Sequence, residues 1–266
     1  MRYMLKKSLF NKLNNYVAIN EHLVGDYVDL GIDKNRISYI PNGVDTSIFC
    51  PPDEYEKVRL KTCFDIPLNF KVIIFSGRLV KEKGIDTLLD AYRKVKEVYK
   101  NVCLVVVGGV NPDPSRLSRG AIIKDFDAKA WAFDKEDAEN IAKSRGVTDV
   151  KFTWSVQNVA DYLKCADIYV FPSTYKEGLS NSLLEGMSVG LAVVSSNVSS
   201  VRTVITDKET GLLFEPGNTT ELASGLTYLL KSPAMAKKLG LNARTRVLAE
   251  YNIEKTVEKY VEVFTV

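Results

Sequence analysis

The chain has 266 residues, 45% of them apolar, enough for one large domain or two small ones with a full core. Lys and Arg number 36 against 33 Asp and Glu, and a net charge of +3 is too weak a bias to point to nucleic acid as a partner. Cys50, Cys63, Cys103 and Cys165 show no CxxC spacing and His22 is the single histidine, which argues against a disulfide framework, a zinc site and a Ser–His triad, and fits a reducing, cytoplasmic setting.

At the N-terminus, Met1 to Lys7 carries basic residues without a long apolar run, so it does not read as a signal peptide. No stretch approaches the ~20 apolar residues that span a bilayer. Residues 5 to 15 are expected to form a short helix. Its Lys6, Lys7 and Lys12 read first as a solvated face and second as a peripheral contact with an anionic membrane surface. Tyr16 to Ile19 reads as a strand, Glu21 to Leu30 as a surface helix holding His22, and Arg36 to Ile40 as a strand stopped by Pro41-Asn42-Gly43. Val44 to Leu60 reads as a connector, with a natural boundary at Pro51-Pro52.

From Lys71 the pattern becomes a regular alternation. Val72 to Phe75 is an apolar strand ending in Ser76-Gly77-Arg78, and Gly84 to Val98 is an amphipathic helix with Ile85, Leu88, Leu89, Tyr92 and Val95 on one face. Val102 to Val107 is a buried strand closed by Gly108-Gly109. Residues 110 to 134, with Pro112, Pro114 and Gly120, read as a long loop or lid. A helix at Lys135 to Arg145, a strand at Val150 to Thr153 and a helix at Val156 to Cys165 follow. Next come a strand at 166 to 171, a helix from about Ser180, and strands at Leu191 to Ser195 and Leu212 to Phe214. Helices at Thr220 to Lys231, Met235 to Tyr251 and Ile253 to Val263 complete the chain.

Strands alternating with helices imply an α/β fold, a Rossmann-like doubly wound parallel sheet covered on both faces. In the strand order 3-2-1-4-5-6, the strand ending at Ser76 and the strand ending at Phe171 are neighbours across the switch point, where such sheets bind ligands. Topology therefore brings Arg78 and Glu177 together. Phe171-Pro172-Ser173 turns into a helix that begins near Asn181, and free backbone N–H groups at that start favour an anion. Glu177 and Glu185 flank the helix start. Two carboxylates repel a bare phosphate but suit a ligand with hydroxyls around its phosphates, such as a sugar nucleotide. Arg78 and Lys83, five residues apart, are spaced to grip a diphosphate and to stabilise the charge of a leaving nucleoside diphosphate. A GxGxxG turn, a GxxxxGK[ST] loop and a GxSxG elbow are all lacking, which disfavours a dinucleotide site, a P-loop NTPase and a serine hydrolase.

Taken together these residues resemble the C-terminal half of a GT-B glycosyltransferase of the large retaining family 4 type. The matching pieces are Ile40-Pro41-Asn42-Gly43-Val44-Asp45 with Phe49; Ser76-Gly77-Arg78-Leu79 with Lys81-Glu82-Lys83-Gly84; Val106-Val107-Gly108; Pro172-Ser173 with Glu177-Gly178-Leu179 and Leu184-Glu185-Gly186; and Thr210-Gly211-Leu212-Leu213 with Pro216-Gly217. The resemblance implies that Arg78 and Lys83 bind the donor diphosphate. Glu177 would contact the donor sugar with the backbone of Gly178, Leu179 and Ser180 beside Asn181, and Gly77 would turn the chain at the site. Glu185 would hold the ribose, and Trp154-Ser155-Val156 would lie near the base. The substrate implied is a UDP- or GDP-sugar, with no separate cofactor or bound metal, and the acceptor a sugar or glycolipid in polysaccharide or glycoconjugate assembly.

By the same resemblance, residues 1–45 are a remnant of the N-terminal acceptor domain with its linker, 46–250 the donor-binding domain, and 251–266 a helix that packs back on the N-terminal domain. Residues 1–40 match only the end of that N-terminal domain, so an N-terminal half-enzyme subunit is an expected partner. A catalytically silent nucleotide-sugar binding module, or a truncated fragment, is the alternative. Two departures bear on the site. Trp154 stands where the family usually has glycine, and Ser199-Ser200-Val201-Arg202-Thr203 replaces a Gly-Gly-x-Pro-Glu segment.

Overall fold

A computed structural model describes residues 13–109, 135–147, 149–175 and 178–265. Two parallel sheets organise them. A small one pairs β1 (Tyr16–Ala18) with β2 (Ile37–Tyr39), Tyr16 opposite Ile37. Helix α1 (Glu21–Asp29) connects the two, its N-terminus capped by the Asn20 side chain on the Leu23 N–H at 2.8 Å. Residues 13–15 are not helical, and the rest of the helix expected over 5 to 15 lies outside the described residues.

The main sheet has six strands: β3 (Lys71–Ser76), β4 (Val102–Val107), β5 (Val150–Trp154), β6 (Ile168–Phe171), β7 (Ala192–Ser196) and β8 (Leu212–Phe214). Their order is β5-β4-β3-β6-β7-β8 and every pairing is parallel, which is the doubly wound order expected, with β3 and β6 adjacent. The central strands are buried on both faces, hence their unbroken apolar runs. Val72 and Ile74 join one core, and Ile73 and Phe75 the other.

Helix α3 (Ile85–Val98) buries Ile85, Leu88, Leu89, Tyr92 and Val95 against the second core. Tyr92 is fully buried, and its hydroxyl donates to the carbonyls of Val102 and Asp149 at 3.0 Å each, tying the helix to two strand starts. Helices α4 (Lys135–Ser144), α5 (Val159–Lys164), α6 (Asn181–Ser188), α8 (Thr219–Lys231) and α9 (Pro233–Glu250) complete the layers.

Two segments depart from the sequence reading. The connector expected over Val44 to Leu60 contains helix α2 (Glu54–Cys63), which runs on into Cys63. It has almost no apolar stripe and buries only Leu60 and Lys61. Polar tethers hold it instead. Lys61 Nζ donates to the Phe70 carbonyl at 2.6 Å, and Lys57 Nζ donates to the Ala166 carbonyl and pairs with Asp167 at 3.0 Å. Asp167 also accepts the Val72 N–H at 2.8 Å, which fixes β6 beside β3. The second departure is Ser199–Arg202, which forms a one-turn helix, α7.

The last helix, α10 (Ile253–Phe264), starts against the linker. Val44 N–H donates to Tyr251 O at 2.9 Å, Ile253 N–H donates to Val44 O at 3.0 Å, and Thr256 Oγ1 donates to Pro41 O. The segments at residues 41–44 and 251–256 thus brace each other.

Candidate functional site

The crevice at the C-terminal ends of β3 and β6 is built by two loops that touch backbone to backbone. After β3 the chain passes through Gly77 and Arg78, makes a 3-10 turn at Lys81–Lys83 and enters α3 at Gly84. After β6 it passes through Pro172, Ser173 and Thr174. Thr174 N–H donates to Glu82 O at 2.8 Å, and the Ser173 and Thr174 hydroxyls reach the same oxygen at 3.2 and 3.3 Å. Gly84 has φ 72°, and a Cβ there would lie 2.0 Å from the Pro172 carbonyl oxygen. Only glycine permits this approach.

Lys83 is drawn into the crevice by the join, its ammonium 5.4 Å from the centre of the Phe171 ring. Arg78, on the same loop, is exposed and forms no ion pair among the described residues. Of the two cations on the β3 loop, Lys83 thus lies at the end of β6. Beneath them Ser76 is buried, its hydroxyl 3.3 Å from that of Tyr169. A third loop closes one side. Gly77 N–H donates to Val107 O, and Gly108, at φ 116°, comes so near that a Cβ would lie 2.1 Å from Gly77 O.

On the β6 side, Glu177 lies outside the described residues, as does the loop expected over 110 to 134. Gly178 sits against the small sheet, where a Cβ would meet Ile19 Cδ1 at 3.4 Å. Leu179 is buried and its carbonyl accepts Asn42 Nδ2 at 3.1 Å. Ser180 is the residue before α6, its hydroxyl 3.1 Å from that of Ser182, and Asn181 opens the helix exposed. Asn42 belongs to the Pro-Asn-Gly turn, whose spacing marks a stop but not this cross-chain contact.

Glu185 lies one turn into α6. Its carboxylate takes no hydrogen bond among the described residues, and burial raises its pKa above the ordinary carboxylate range. A half-buried acid of this kind gains most from hydroxyl or N–H donors brought to it.

Trp154 ends β5 with φ 62°, a left-handed backbone that a bulky side chain enters at a cost of roughly 1–2 kcal/mol. Glycine would adopt this backbone without that cost. The strand bond from Gly108 N–H to Trp154 O, 2.9 Å, holds the geometry. The indole covers Gly109, where a Cβ would come within 2.8 Å of the ring. Trp154 therefore stands beside the Gly77–Gly108 contact at the outer side of the crevice.

In place of the expected Gly-Gly-x-Pro-Glu segment, α7 buries Val201 and leaves Arg202 exposed. The Thr203 carbonyl accepts Arg246 Nη2 and Tyr251 Oη, both at 3.1 Å, so the segment is fastened to the end of α9 and to Tyr251. No group of three or more His, Cys, Asp or Glu converges as a metal site among the described residues, and none of the described helices is long and apolar enough to cross a membrane.

The family model described as glycosyl transferases group 1 matches residues 61–246. The chain is 26% identical over 241 residues to the alpha-maltose-1-phosphate synthase of Mycolicibacterium smegmatis, an alignment that covers 88% of this chain and 57% of that protein. It is 26% identical over 242 residues to the trehalose synthase of Pyrococcus horikoshii, covering 90% and 54%. The chain thus spans little more than half the length of these curated relatives. Among solved structures, Anabaena HepE in complex with UDP and glucose superposes with a TM-score of 0.81 at 17% identity, covering 99% of this chain and 66% of that one. The C-terminal domain of a group 1 family protein, LpcC of Francisella tularensis, superposes with a TM-score of 0.64 at 25% identity, covering 79% of this chain and all of that domain.

Proposed function

The chain belongs to the glycosyl transferases group 1 family, and from that premise we propose that it is the donor-binding part of a retaining glycosyltransferase that uses a nucleoside-diphosphate sugar. The observation that carries this is topological: Arg78 and Lys83 follow β3, the start of α6 and the half-buried Glu185 follow β6, and β3 and β6 are adjacent parallel strands. Support for the donor class comes from HepE, solved with UDP and with UDP-glucose.

Arg78 and Lys83 hold the diphosphate. As the bond from the anomeric carbon to the diphosphate oxygen breaks, negative charge grows on that oxygen. The two cations and the α6 start stabilise it, with no further cofactor called for. The acceptor hydroxyl forms the new bond on the same face, and its proton passes to the departing diphosphate. Glu185 accepts the ribose hydroxyls. Glu177 and the backbone of Gly178, Leu179 and Ser180 hold the donor sugar, and Trp154 borders the base.

Turnover requires an N-terminal half, within a longer polypeptide or as a separate subunit. Among the described residues no third strand pairs with the small β1–β2 sheet, and α10 leaves Val257, Val261 and Phe264 exposed at 52%, 52% and 77%. Such a half would cover both.

A thermal-shift panel of UDP, GDP, ADP and their glucose conjugates tests the donor reading. One base series is expected to raise Tm, since a ligand at a hundred times its Kd stabilises by about 2.7 kcal/mol. No shift with any of them would contradict it.

A further inference from the structure

At the opposite end of the main sheet, where β3 and β6 begin, a cleft of about 450 Å3 opens, within the range of ~300–1,000 Å3 that holds small ligands. Five steps of ~3.3 Å along β3 set it roughly 17 Å from the donor crevice. Helix α2 lines it with Glu54 and Lys57, β3 with Lys71, α5 with Lys164, the start of β6 with Asp167, and α9 with Lys237. Lys61 lies close behind, where Asp167, Lys57 and Lys71 all act on its charge. Among the described residues Asp167 is the one carboxylate that these three ammonium groups share, 3.0 Å from Lys57 and 3.4 Å from Lys71. Glu56 offsets Lys164 at 3.0 Å.

We propose that this cleft binds a small dianion, inorganic phosphate or a compact phosphomonoester, at a site separate from the donor crevice and independent of how that crevice is read. Charge selects the ligand class first. Five lysines, counting Lys61, stand against Glu54, Glu56 and Asp167, and the surplus of two matches the charge of such a ligand. Hydrogen-bonding capacity points the same way. Each ammonium has three N–H donors, of which, among the described residues, Lys71 and Lys164 spend one each and Lys237 none. Donors are thus in excess over the acceptors that the protein brings, and phosphate oxygens take charge-assisted hydrogen bonds from them. The first turn of α9 adds no acidic residue to offset Lys237. Pro51, Pro52 and Pro233 also line the cleft, an apolar surface for the carbon body of an ester.

Isothermal titration of the full chain with inorganic phosphate and with phenyl phosphate, at low salt, tests the assignment. Arg78→Ala/Lys83→Ala removes the crevice cations, and both probes are expected to bind that chain within about twofold of the unaltered one. Lys71→Met/Lys237→Glu should weaken both by about tenfold or more, the worth of one charge-assisted hydrogen bond. Lys237→Glu alone, at an exposed position with no hydrogen bond to lose among the described residues, should weaken them about fivefold and keep Tm. Lys143→Glu, the same charge change on α4, should leave both affinities in place. No binding of either probe, full binding in Lys71→Met/Lys237→Glu, an equal loss in Lys143→Glu, or loss in Arg78→Ala/Lys83→Ala would overturn the proposal. UDP binding with no phosphate binding would remove this site and leave the donor reading standing. Phosphate binding that follows the variants as stated, in a chain that does not bind UDP, would support the site and contradict the donor reading.

Discussion

Glu185 is the residue where stability and function pull apart. Its folded pKa is raised by burial, so ionisation costs the folded state. The stability of this position is full below the ordinary carboxylate range and is lost as pH rises through the raised value. Glu185→Gln is therefore expected to raise the Tm of the ligand-free chain at neutral pH and to leave it unchanged near pH ~3, below the ordinary range. The same substitution should weaken nucleotide binding by about tenfold, the worth of one charge-assisted hydrogen bond. Calorimetry at both pH values separates the outcomes, and a lower Tm at neutral pH would mean that the carboxylate is anchored by the protein. Trp154 is the complementary case. The sequence shows a tryptophan where glycine is usual, but only the backbone at φ 62° explains what glycine contributes there and what tryptophan must overcome.

At the scale of elements, the site depends on two loops held at hydrogen-bond distance. Gly84→Ala would drive a methyl group into the Pro172 carbonyl, 2.0 Å from the ideal Cβ. With a left-handed φ as well, the substitution is expected to cost about 3 kcal/mol and to swing Lys83 away from Phe171. Chemical denaturation should reveal the loss. Unchanged stability would mean that the loops are not joined through Glu82 and Pro172. The alternation from Lys71 onward made the main sheet and its order legible in the sequence, because buried parallel strands and α3 carry strong, distinct periodicities. Helix α2 was not legible as a helix. Its segment Glu54–Cys63 lacks an apolar stripe and is held by Lys57 and Lys61 reaching carbonyls and Asp167 over a hundred residues away or across a turn. The signal that would have found it is local: Asp53 followed by Glu56, with the Asp53 carboxylate accepting the Glu56 N–H at 2.7 Å. The contact of Asn42 with Leu179 was equally hidden, since it arises from how the two sheets meet.

For the whole molecule, the hydrogen bonds between residues 41–44 and 251–256 and the Asn42–Leu179 contact hold the small sheet beside the Gly178 loop. All of this turns on the β3–β6 crevice being a nucleoside-diphosphate site. Isothermal titration of the full chain with UDP, GDP and ADP, alongside Arg78→Ala and Lys83→Ala, measures that directly. Micromolar binding of one nucleotide by the unaltered chain is expected, with each substitution weakening it by about tenfold or more. Equal affinity in the substituted chains, or a folded chain that binds none of the three, would contradict the assignment of the crevice.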